Sequence, residues 1–264
     1  METELLPTAL RRRRIVELVA ETGFARVPEL SERFGLSQVT IRSDLDALAG
    51  SGELERVHGG VILPIVAADS SEKSLEQTSL AASSEKTRIG AAAAALVESG
   101  STIVLDVGST TTSIALALVA RTDLADVVIV TNALNIAMLL EPAVPRFTVI
   151  VSGGTLRPLQ HSLVEPLAGA IFDQIHADIA FIGCSGVDAD TGITNVNLPE
   201  ADLKRRMIGA STRVIAVADG SKNGAVHQSR VCGLDALSLL ITSSDADAAE
   251  LASLESAGLA VSLV

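Results

Sequence analysis

The sequence has no tryptophan, no tyrosine and only five phenylalanines in 264 residues. Stacking on single-stranded nucleic acid is therefore not expected, because that mode of binding needs exposed aromatic rings. Aliphatic side chains must fill the core instead. Hydrophobic residues make up 48% of the chain, which is enough for a buried core and argues against disorder.

Cysteine and histidine are also scarce. Cys184 and Cys232 lie far apart in apolar surroundings, which favours core thiols over a disulfide framework. The four histidines have no Cys or His partner at ligand spacing, so no metal site is expected. No apolar run is long enough to span a membrane, and the first residues lack the order of a signal peptide. The sequence thus predicts a cytoplasmic protein with no membrane association.

The net charge of −12 is spread unevenly. Residues 8–63 hold eight arginines and eight acidic residues, whereas residues 64–264 hold twelve basic and twenty-two acidic residues. Because an acidic body repels a polyanion, any contact with nucleic acid is expected in the neutral N-terminal segment.

The N-terminal segment begins with the pattern of two short helices. Ile15, Leu18 and Val19 share one face of the first helix. The second helix has Pro28 in its first turn, and Gly35 suits the left-handed position that ends it.

A third helix and a hairpin follow. Ser37 is a suitable N-cap, and Ile41, Leu45 and Leu48 form the inward stripe of the helix. The stretch ELERVHGGVIL then alternates as two strands around a Gly-Gly turn, which makes a wing. Three helices and a wing predict a winged helix-turn-helix domain over residues 8–63.

In a winged helix-turn-helix the start of the third helix faces the major groove, where Gln and Arg bond adenine and guanine in bidentate fashion. Phosphate contacts are expected from Arg11 to Arg14 and from the wing. The residues expected to bind DNA are Ser37, Gln38, Thr40, Arg42, Ser43, Arg56 and His58. The alternative is a three-helix interaction module with solvated arginines, which Asp44 and Asp46 slightly favour.

The run LSQVTIRSDLDAL, followed by GELERVHGGVIL, resembles the signature of the DeoR-type regulators, S-x-x-T-I-R-R-D-L with a wing that ends in H-G-G. The match covers residues 8–63 without a gap. It implies a domain that binds a double-stranded DNA operator. Ser43 stands where the family usually has a second arginine, which leaves Arg42 as the stronger expectation for a charged contact.

The remainder of the chain predicts a linker and an α/β domain. Residues 64–84 lose periodicity and gain Ser and Ala, which is typical of a linker with at most a short helix. Over residues 85–264, six apolar β-branched runs alternate with helix-like stretches, which predicts a parallel sheet with helices on both faces. Ligands of such sheets bind outside the carboxyl ends of the strands.

The stretch LDVGSTTTS is the first of these strand ends. Gly108 permits a tight turn, and Ser109–Thr112 open a helix whose free amides suit a phosphate group. The alternative is that the hydroxyls only cap the helix. The stretch is neither a dinucleotide fingerprint nor a P-loop, and no cofactor is expected.

Polar residues or glycines also follow the other strand ends, at Asn132, Gly153, Gly154 and Asp219. A sugar phosphate needs a helix terminus and a lysine for its phosphate, with carboxylate and amide groups for its hydroxyls. For each carboxylate a structural role is the alternative. Asp106 in particular is suited to brace its loop, since a negative charge beside a phosphate is unfavourable.

The order of LDVGSTTT, VTNAL, SGGTLR, EADLKRRMI and DGSK is similar to that of the DeoR-type effector domain, whose fold resembles ribose-5-phosphate isomerase. The tail departs, because ITSSDAD replaces the commoner I-T-D. The resemblance implies a phosphorylated sugar as effector, with its phosphate at Gly108–Thr111. The residues expected to bind it are Asp106, Gly108, Ser109, Thr110, Thr111, Asn132, Gly153, Gly154, Glu200, Lys204 and Lys222.

Two functions remain open from the sequence. The preferred one is a non-enzymatic repressor of carbohydrate-metabolism genes, relieved by the sugar and acting as a homo-oligomer, a dimer or tetramer. The alternative is a sugar-phosphate isomerase or deaminase with a DNA-binding appendage. Asp188, Asp190 and Glu200 are its candidate acid–base residues, although no dense acidic pair is evident.

Overall fold

The computed structural model describes residues 8–22, 25–50, 54–57, 60–62 and 72–264. The chain divides into two compact units, unit 1 (Met1–Ser70) and unit 2 (Ser71–Val264). The elements of unit 1 are α1 (Thr8–Thr22), β1 (Ala25–Arg26), α2 (Val27–Phe34), α3 (Gln38–Gly50), β2 (Glu55–Val57) and β3 (Gly60–Ile62).

The helices of unit 1 pack around one apolar core. Ile15 of α1, Leu30 of α2, and Ile41 and Leu45 of α3 are fully buried there, which confirms the inward faces predicted from helical periodicity. Strands β1, β3 and β2 form an antiparallel sheet in that order, and the β2–β3 hairpin is the predicted wing. The sequence did not predict β1, because two residues show no alternation.

The turn between α2 and α3 determines where α3 begins. Gly35 adopts a φ of 63°, and its N–H donates to the Glu32 carbonyl at 3.3 Å. This left-handed conformation costs little for glycine alone. The Ser37 hydroxyl accepts the N–H of Thr40 at 3.1 Å, so Ser37 caps α3 as predicted.

Unit 2 has more elements. Its helices are α4 (Leu75–Leu80), α5 (Ser83–Ala94), α6 (Ser109–Ala120), α7 (Leu134–Leu140), α8 (Leu198–Gly209) and α9 (Ala248–Ser256). Its strands are β4 (Thr102–Leu105), β5 (Val127–Thr131), β6 (Phe147–Val151), β7 (Thr155–Arg157), β8 (Ser162–Val164), β9 (Ala177–Gly183), β10 (Gly186–Asp188), β11 (Gly192–Asn195), β12 (Ser211–Ala218), β13 (Ser229–Cys232), β14 (Leu239–Thr242) and β15 (Val261–Leu263).

A seven-stranded parallel sheet forms the centre of unit 2, with the strand order β15-β14-β12-β9-β4-β5-β6. Six of these strands lie in the six predicted runs, and β15 is an additional edge strand. Successive residues of β4 point to opposite faces. Ile103 and Leu105 enter a core with α5, α6 and α7, and Val104 enters a second core with Leu203 and Met207 of α8. Helices therefore cover both faces, as predicted for a parallel sheet.

The strand order creates a crevice at the carboxyl ends of the parallel strands. Strand β4 lies between β5 and β9, because the chain adds β5 and β6 on one side and only later places β9 on the other. The connections that leave β4 and β9 diverge at this switch point. In α/β proteins ligands bind at such a crevice, outside the carboxyl ends of the strands.

Smaller elements surround the crevice. The antiparallel sheets β7–β8 and β10–β11–β13 lie outside the parallel sheet. The sequence did not predict them, because strands of three or four residues are too short for a clear alternation. Helix α4 falls in the segment predicted as linker, and the described part of that segment, residues 72–84, belongs to unit 2.

Candidate functional site

A cavity of about 600 Å³ lies at the carboxyl ends of β4, β9 and β12 in unit 2. Its position is therefore the one expected for a ligand of a parallel sheet. Most of its wall comes from residues in the stretches 72–86, 107–111, 183–185, 195–204 and 218–222.

The turn from β4 into α6 forms one side of the cavity. Gly108 has a φ of 142°, and its carbonyl accepts the hydroxyls of Thr111 and Thr112 at 2.9 and 2.7 Å. These two hydroxyls hold the turn, but among the described residues no side chain accepts an N–H group as an N-cap of α6. Ser109 and Thr110 also line the cavity, and the amides of a first helical turn have no acceptor within their helix. The turn can thus offer backbone N–H groups and the Ser109 and Thr110 hydroxyls to an anion.

Asp106 and Lys204 form a buried pair below this turn. Their exposed fractions are 1% and 2%, and Lys204 Nζ donates to Asp106 Oδ2 and, at 3.0 Å, to the Gly183 carbonyl. The Gly183 N–H also donates to Asp106 Oδ2 at 3.0 Å. Burial raises the pKa of Asp106, although the Lys204 ammonium opposes that shift. Lys204 reaches the cavity wall and Asp106 does not, which agrees with a bracing role for the carboxylate.

Glu200 is a buried carboxylate in the cavity wall. It accepts hydrogen bonds from Arg157, from Ser162 Oγ at 2.8 Å and from Asn195 Nδ2 at 3.4 Å. Arg157 also donates to Glu72 Oε2 at 2.8 Å, so one guanidinium joins two carboxylates. Sequence reasoning singled out neither Arg157 nor Glu72, because nothing in the local pattern separates them from solvated charges.

Two further lysines contribute charge to the cavity. Lys222 lines it as predicted. Lys86 of α5, which was not among the predicted site residues, is 4% exposed and lies 3.5 Å from Asp219 Oδ2. Its ammonium donates to the carbonyls of Thr78 and Ala81 at 2.6 Å each. Burial lowers the pKa of Lys86 although the Asp219 carboxylate opposes the shift.

Of the three candidate acid–base residues, Glu200 lies in the cavity wall and Asp188 and Asp190 do not. Asp188 accepts the backbone N–H groups of Asp190 and Thr191 at 3.1 and 2.7 Å in a turn, and neither aspartate is part of the wall. Cys184 is in the wall, but burial raises the pKa of its thiol to about 12. At neutral pH this thiol is protonated and weakly nucleophilic.

Besides Asp106, three other residues predicted to bind the effector lie outside the cavity wall formed by the described residues, namely Asn132, Gly153 and Gly154. Asn132 is buried, accepts the Val107 N–H at 3.1 Å and donates to the Leu163 carbonyl at 3.2 Å. Gly153 and Gly154 have φ values of 73° and 112°. A Cβ on Gly154 would lie 2.4 Å from the Val164 carbonyl, so this position needs glycine for close packing. All three residues position loops in this structure.

In unit 1, the predicted reading helix presents a polar surface. Gln38, Arg42 and Ser43 are exposed on α3, whereas Thr40 is half-buried and its hydroxyl lies 2.9 Å from that of Ser37. Arg56 lies in β2, the first strand of the wing. His58 lies outside the described residues.

Of the arginines expected to touch phosphate, Arg11 is buried, and the partly exposed Arg12 binds the same carboxylate. Arg11 and Arg12 donate to the two oxygens of Asp44 at 2.6 and 2.9 Å. The prediction of phosphate contacts is wrong for Arg11, which is only 8% exposed, and Arg12 is engaged in the same cluster. Burial would raise the pKa of Asp44, but the hydrogen bonds from both guanidinium groups outweigh it and hold the pKa below its ordinary value. Asp44 is therefore a packing residue of α3 and no obstacle to DNA.

In the part of the chain that the structure describes, no three His, Cys, Asp or Glu side chains are grouped so as to hold a metal ion. Within those residues, too, no helix combines the length and apolar character needed to cross a bilayer.

Two family models match the sequence. Residues 11–65 match the DeoR-like helix-turn-helix domain, and residues 81–244 match the DeoR C terminal sensor domain. Together they cover most of unit 1 and most of unit 2. The second match includes the turn before α6 and the buried lysine of α8, and begins after helix α4.

Curated relatives match over nearly the full length. A putative aga operon transcriptional repressor of Escherichia coli O157:H7 is 31% identical over 263 residues, 100% of this chain and 96% of the relative. The glycerol-3-phosphate regulon repressor of E. coli K12 is 33% identical over 230 residues, 86% and 88% of the two chains. Ribose 5-phosphate isomerase A of Methanocaldococcus jannaschii covers 52% of both chains at 18% identity and a TM-score of 0.38, a likeness too weak to support an argument. The two domain models and the full-length relatives show that this chain belongs to the DeoR family of transcriptional regulators.

Proposed function

We propose that the protein binds operator DNA through α3 and the wing, and that a phosphorylated sugar in the cavity of unit 2 weakens this binding. The observation that carries the proposal is the cavity itself. It joins the first turn of a helix, a lysine and a buried carboxylate at the switch point of the sheet. A phosphate group and a hydroxylated carbon chain need this combination.

Within the cavity, each group receives a role that fits its chemistry. The amides and hydroxyls of Ser109 and Thr110 hold the phosphate, with Gly108 shaping the turn and Lys222 adding positive charge. Glu200 accepts hydrogen bonds from the sugar hydroxyls. Thr111, Asp106 and Lys204 keep the turn and the neighbouring strand end in place, and Asn132, Gly153 and Gly154 support them from behind the wall.

On DNA, the exposed start of α3 is proposed to read bases in the major groove. Gln38 and Arg42 offer amide and guanidinium groups that match adenine and guanine. Ser37, Ser43, Arg56 and His58 contact phosphates, and Thr40 supports the cap. One winged helix covers too little DNA for strong specificity, so we propose a homo-oligomer, a dimer or tetramer, that binds repeated half-sites. A regulator of chromosomal genes of this kind acts in the cytoplasm.

The names of the relatives indicate which genes and compounds to examine. One is named for a glycerol-3-phosphate regulon and another for the aga operon. We propose that this chain likewise represses genes for the use of carbohydrates or polyols.

The test is a DNA-shift assay on the promoter regions beside the gene. It is repeated with glycerol 3-phosphate, ribose 5-phosphate, fructose 6-phosphate and glucosamine 6-phosphate, with each unphosphorylated compound as its matched control. We expect one phosphorylated compound to weaken operator binding about 5–150-fold, the range typical of allosteric coupling. Operator binding that ignores all four compounds would contradict the effector assignment. Multiple turnover of any of them would favour the isomerase alternative instead.

A further inference from the structure

One wall of the cavity is formed by a segment that lies mostly before residue 81, where the match to the sensor-domain model begins. We call residues 72–82, which include α4, the strap. Glu72, Lys73, Thr78, Ala81 and Ala82 of the strap line the cavity. The cavity is therefore complete only while the strap lies against the rest of unit 2.

The first part of the strap is fastened by the β7–β8 region. Arg157 donates to the Glu72 carboxylate at 2.8 Å, and Gln160 Nε2 donates to the Lys73 carbonyl at 2.6 Å. His161 lies 2.9 Å from the carboxylate of Glu76, but both of these side chains are largely exposed. Exposed pairs contribute little, so the partly buried contact of Arg157 with Glu72 is the stronger one.

The last part of the strap is fastened from α5. The Lys86 ammonium donates to two strap carbonyls, those of Thr78 and Ala81. Because Lys86 is buried, it would lose these acceptors without gaining full hydration if the strap moved away. The strap is thus held at one end by the partly buried Arg157 and at the other by the buried Lys86.

Arg157 links this fastening to the cavity. Its guanidinium bonds Glu72 on the strap and Glu200 in the cavity wall, and the exposed fractions of the three side chains are 18%, 10% and 6%. The planar guanidinium can serve two carboxylates at once, a geometry that the ammonium of lysine does not reproduce. The position of Glu200 and the docking of the strap therefore depend on the same side chain.

We infer that Arg157 is a positioning residue that couples occupancy of the cavity to docking of the strap. This inference rests on the proposed function. A ligand that needs the strap as a wall binds the docked form better and raises its population. Along the chain, the strap lies between unit 1 and the rest of unit 2. Effector binding reaches the DNA-binding unit by this route.

The first experiment needs no ligand. Amide hydrogen exchange of residues 72–82 is measured in the full-length protein and in Arg157→Lys, which keeps the charge but loses the double contact. We expect exchange in the strap to be roughly tenfold faster in the variant. Glu76→Gln is the matched control, because it removes an exposed carboxylate from the same helix, and its exchange is expected to stay within about twofold of the parent.

The second experiment adds the compound that shifts operator binding most in the parent protein. When the strap is docked in only a fraction of the molecules, the apparent affinity for the compound equals that of the docked form multiplied by this fraction. Arg157→Lys is therefore expected to bind the compound roughly tenfold more weakly than the parent protein. Operator affinity without the compound is expected not to fall. Glu72→Gln keeps the Arg157–Glu200 contact and is expected to change strap exchange and affinity for the compound in the same directions as Arg157→Lys. It replaces Arg157→Lys as the test variant if that variant misfolds.

The outcomes separate the two proposals. If strap exchange is unchanged in both variants, the inference about Arg157 is wrong, whatever the ligand. If exchange rises but operator release still occurs at the parent's ligand concentration, the strap does not carry the signal and the inference is also wrong. If no compound of the panel acts on the parent protein, the proposed effector class fails, and the exchange result alone decides whether Arg157 holds the strap.

Discussion

Arginine side chains in this protein have three different tasks. Arg11 and Arg12 neutralise the buried Asp44, and Arg157 joins two carboxylates beside the cavity. Arg42 is exposed on α3, where a reading helix meets DNA. The sequence places all of these residues but does not distinguish their tasks, because the partners are 32 to 85 positions away along the chain.

Arg42 offers a test of the DNA-binding surface. Arg42→Ala is expected to cost roughly 1–3 kcal/mol of operator binding and to relax the base preference at one position, because a bidentate contact with guanine is lost. Binding is measured on the operator and on operators altered at single base pairs. Arg205→Ala, an exposed arginine on α8 paired with Asp202, is the control and is expected to leave binding unchanged. Unchanged binding by Arg42→Ala would mean that α3 does not lie in the groove as proposed.

At the scale of elements, α3 must pack and read DNA at the same time. Ile41 and Leu45 face the core, Gln38 and Arg42 face outward, and Asp44 points inward to the arginines of α1. The sequence predicted the apolar stripe because periodicity reveals it. It did not predict the inward aspartate, because an acidic residue in a helix is more often solvated.

The Asp44 cluster is expected to be essential for the stability of unit 1. Asp44→Asn removes the negative charge that Arg11 and Arg12 share in a largely buried cluster, which is expected to cost about 3 kcal/mol. Amide exchange of α1 and α3 under native conditions measures the loss, and Asp46→Asn on the exposed face of α3 is the control. Because the pKa of Asp44 is lowered on folding, the same stabilisation is present above the ordinary carboxyl range and is lost as the pH falls through the lowered pKa. A change below about 1 kcal/mol in Asp44→Asn would contradict this view of the cluster.

The parallel sheet and its crevice were largely predictable, and their surroundings were not. Continuous apolar runs identify buried parallel strands, and the polar residue after each run marks a strand end. Ser109, Thr110 and Lys222 follow strand ends and lie in the cavity wall. Glu200 and Lys204 of α8 also lie there, and the resemblance to the DeoR-type effector domain implied them. Lys86, Arg157 and Glu72 come from a helix, a short strand and a segment without periodicity. Only three-dimensional packing brings them to the cavity, so no local pattern reveals them.

At the scale of the whole molecule, charge is divided between two tasks. Nearly all the excess negative charge lies in residues 64–264, whereas residues 8–63 are neutral. Within unit 1, Asp44 neutralises part of the positive charge, because it pairs with Arg11 and Arg12. DNA binding must therefore depend on a few arginines and on base contacts, because non-specific attraction is weak.

This distribution predicts a shallow salt dependence. Each phosphate contact contributes about −0.9 to the slope of log affinity against log salt concentration, so a unit that engages about four phosphates gives a slope near −4. Titrations of operator and random duplex DNA at several salt concentrations measure it. A much steeper slope per unit would reveal a broad basic surface that the charge distribution does not contain.

The strap also bears on where the sensor can be separated from the rest of the protein. A fragment that starts at residue 81, where the sensor match begins, would lack Glu72, Lys73 and Thr78. Arg157 and Lys86 would then each lose an acceptor, and the binding chamber would stand open on one side. An isolated sensor fragment that keeps the complete cavity wall must start at or before Glu72. A weak response of a shorter fragment to the effector would result from the truncation and would not describe the full-length regulator.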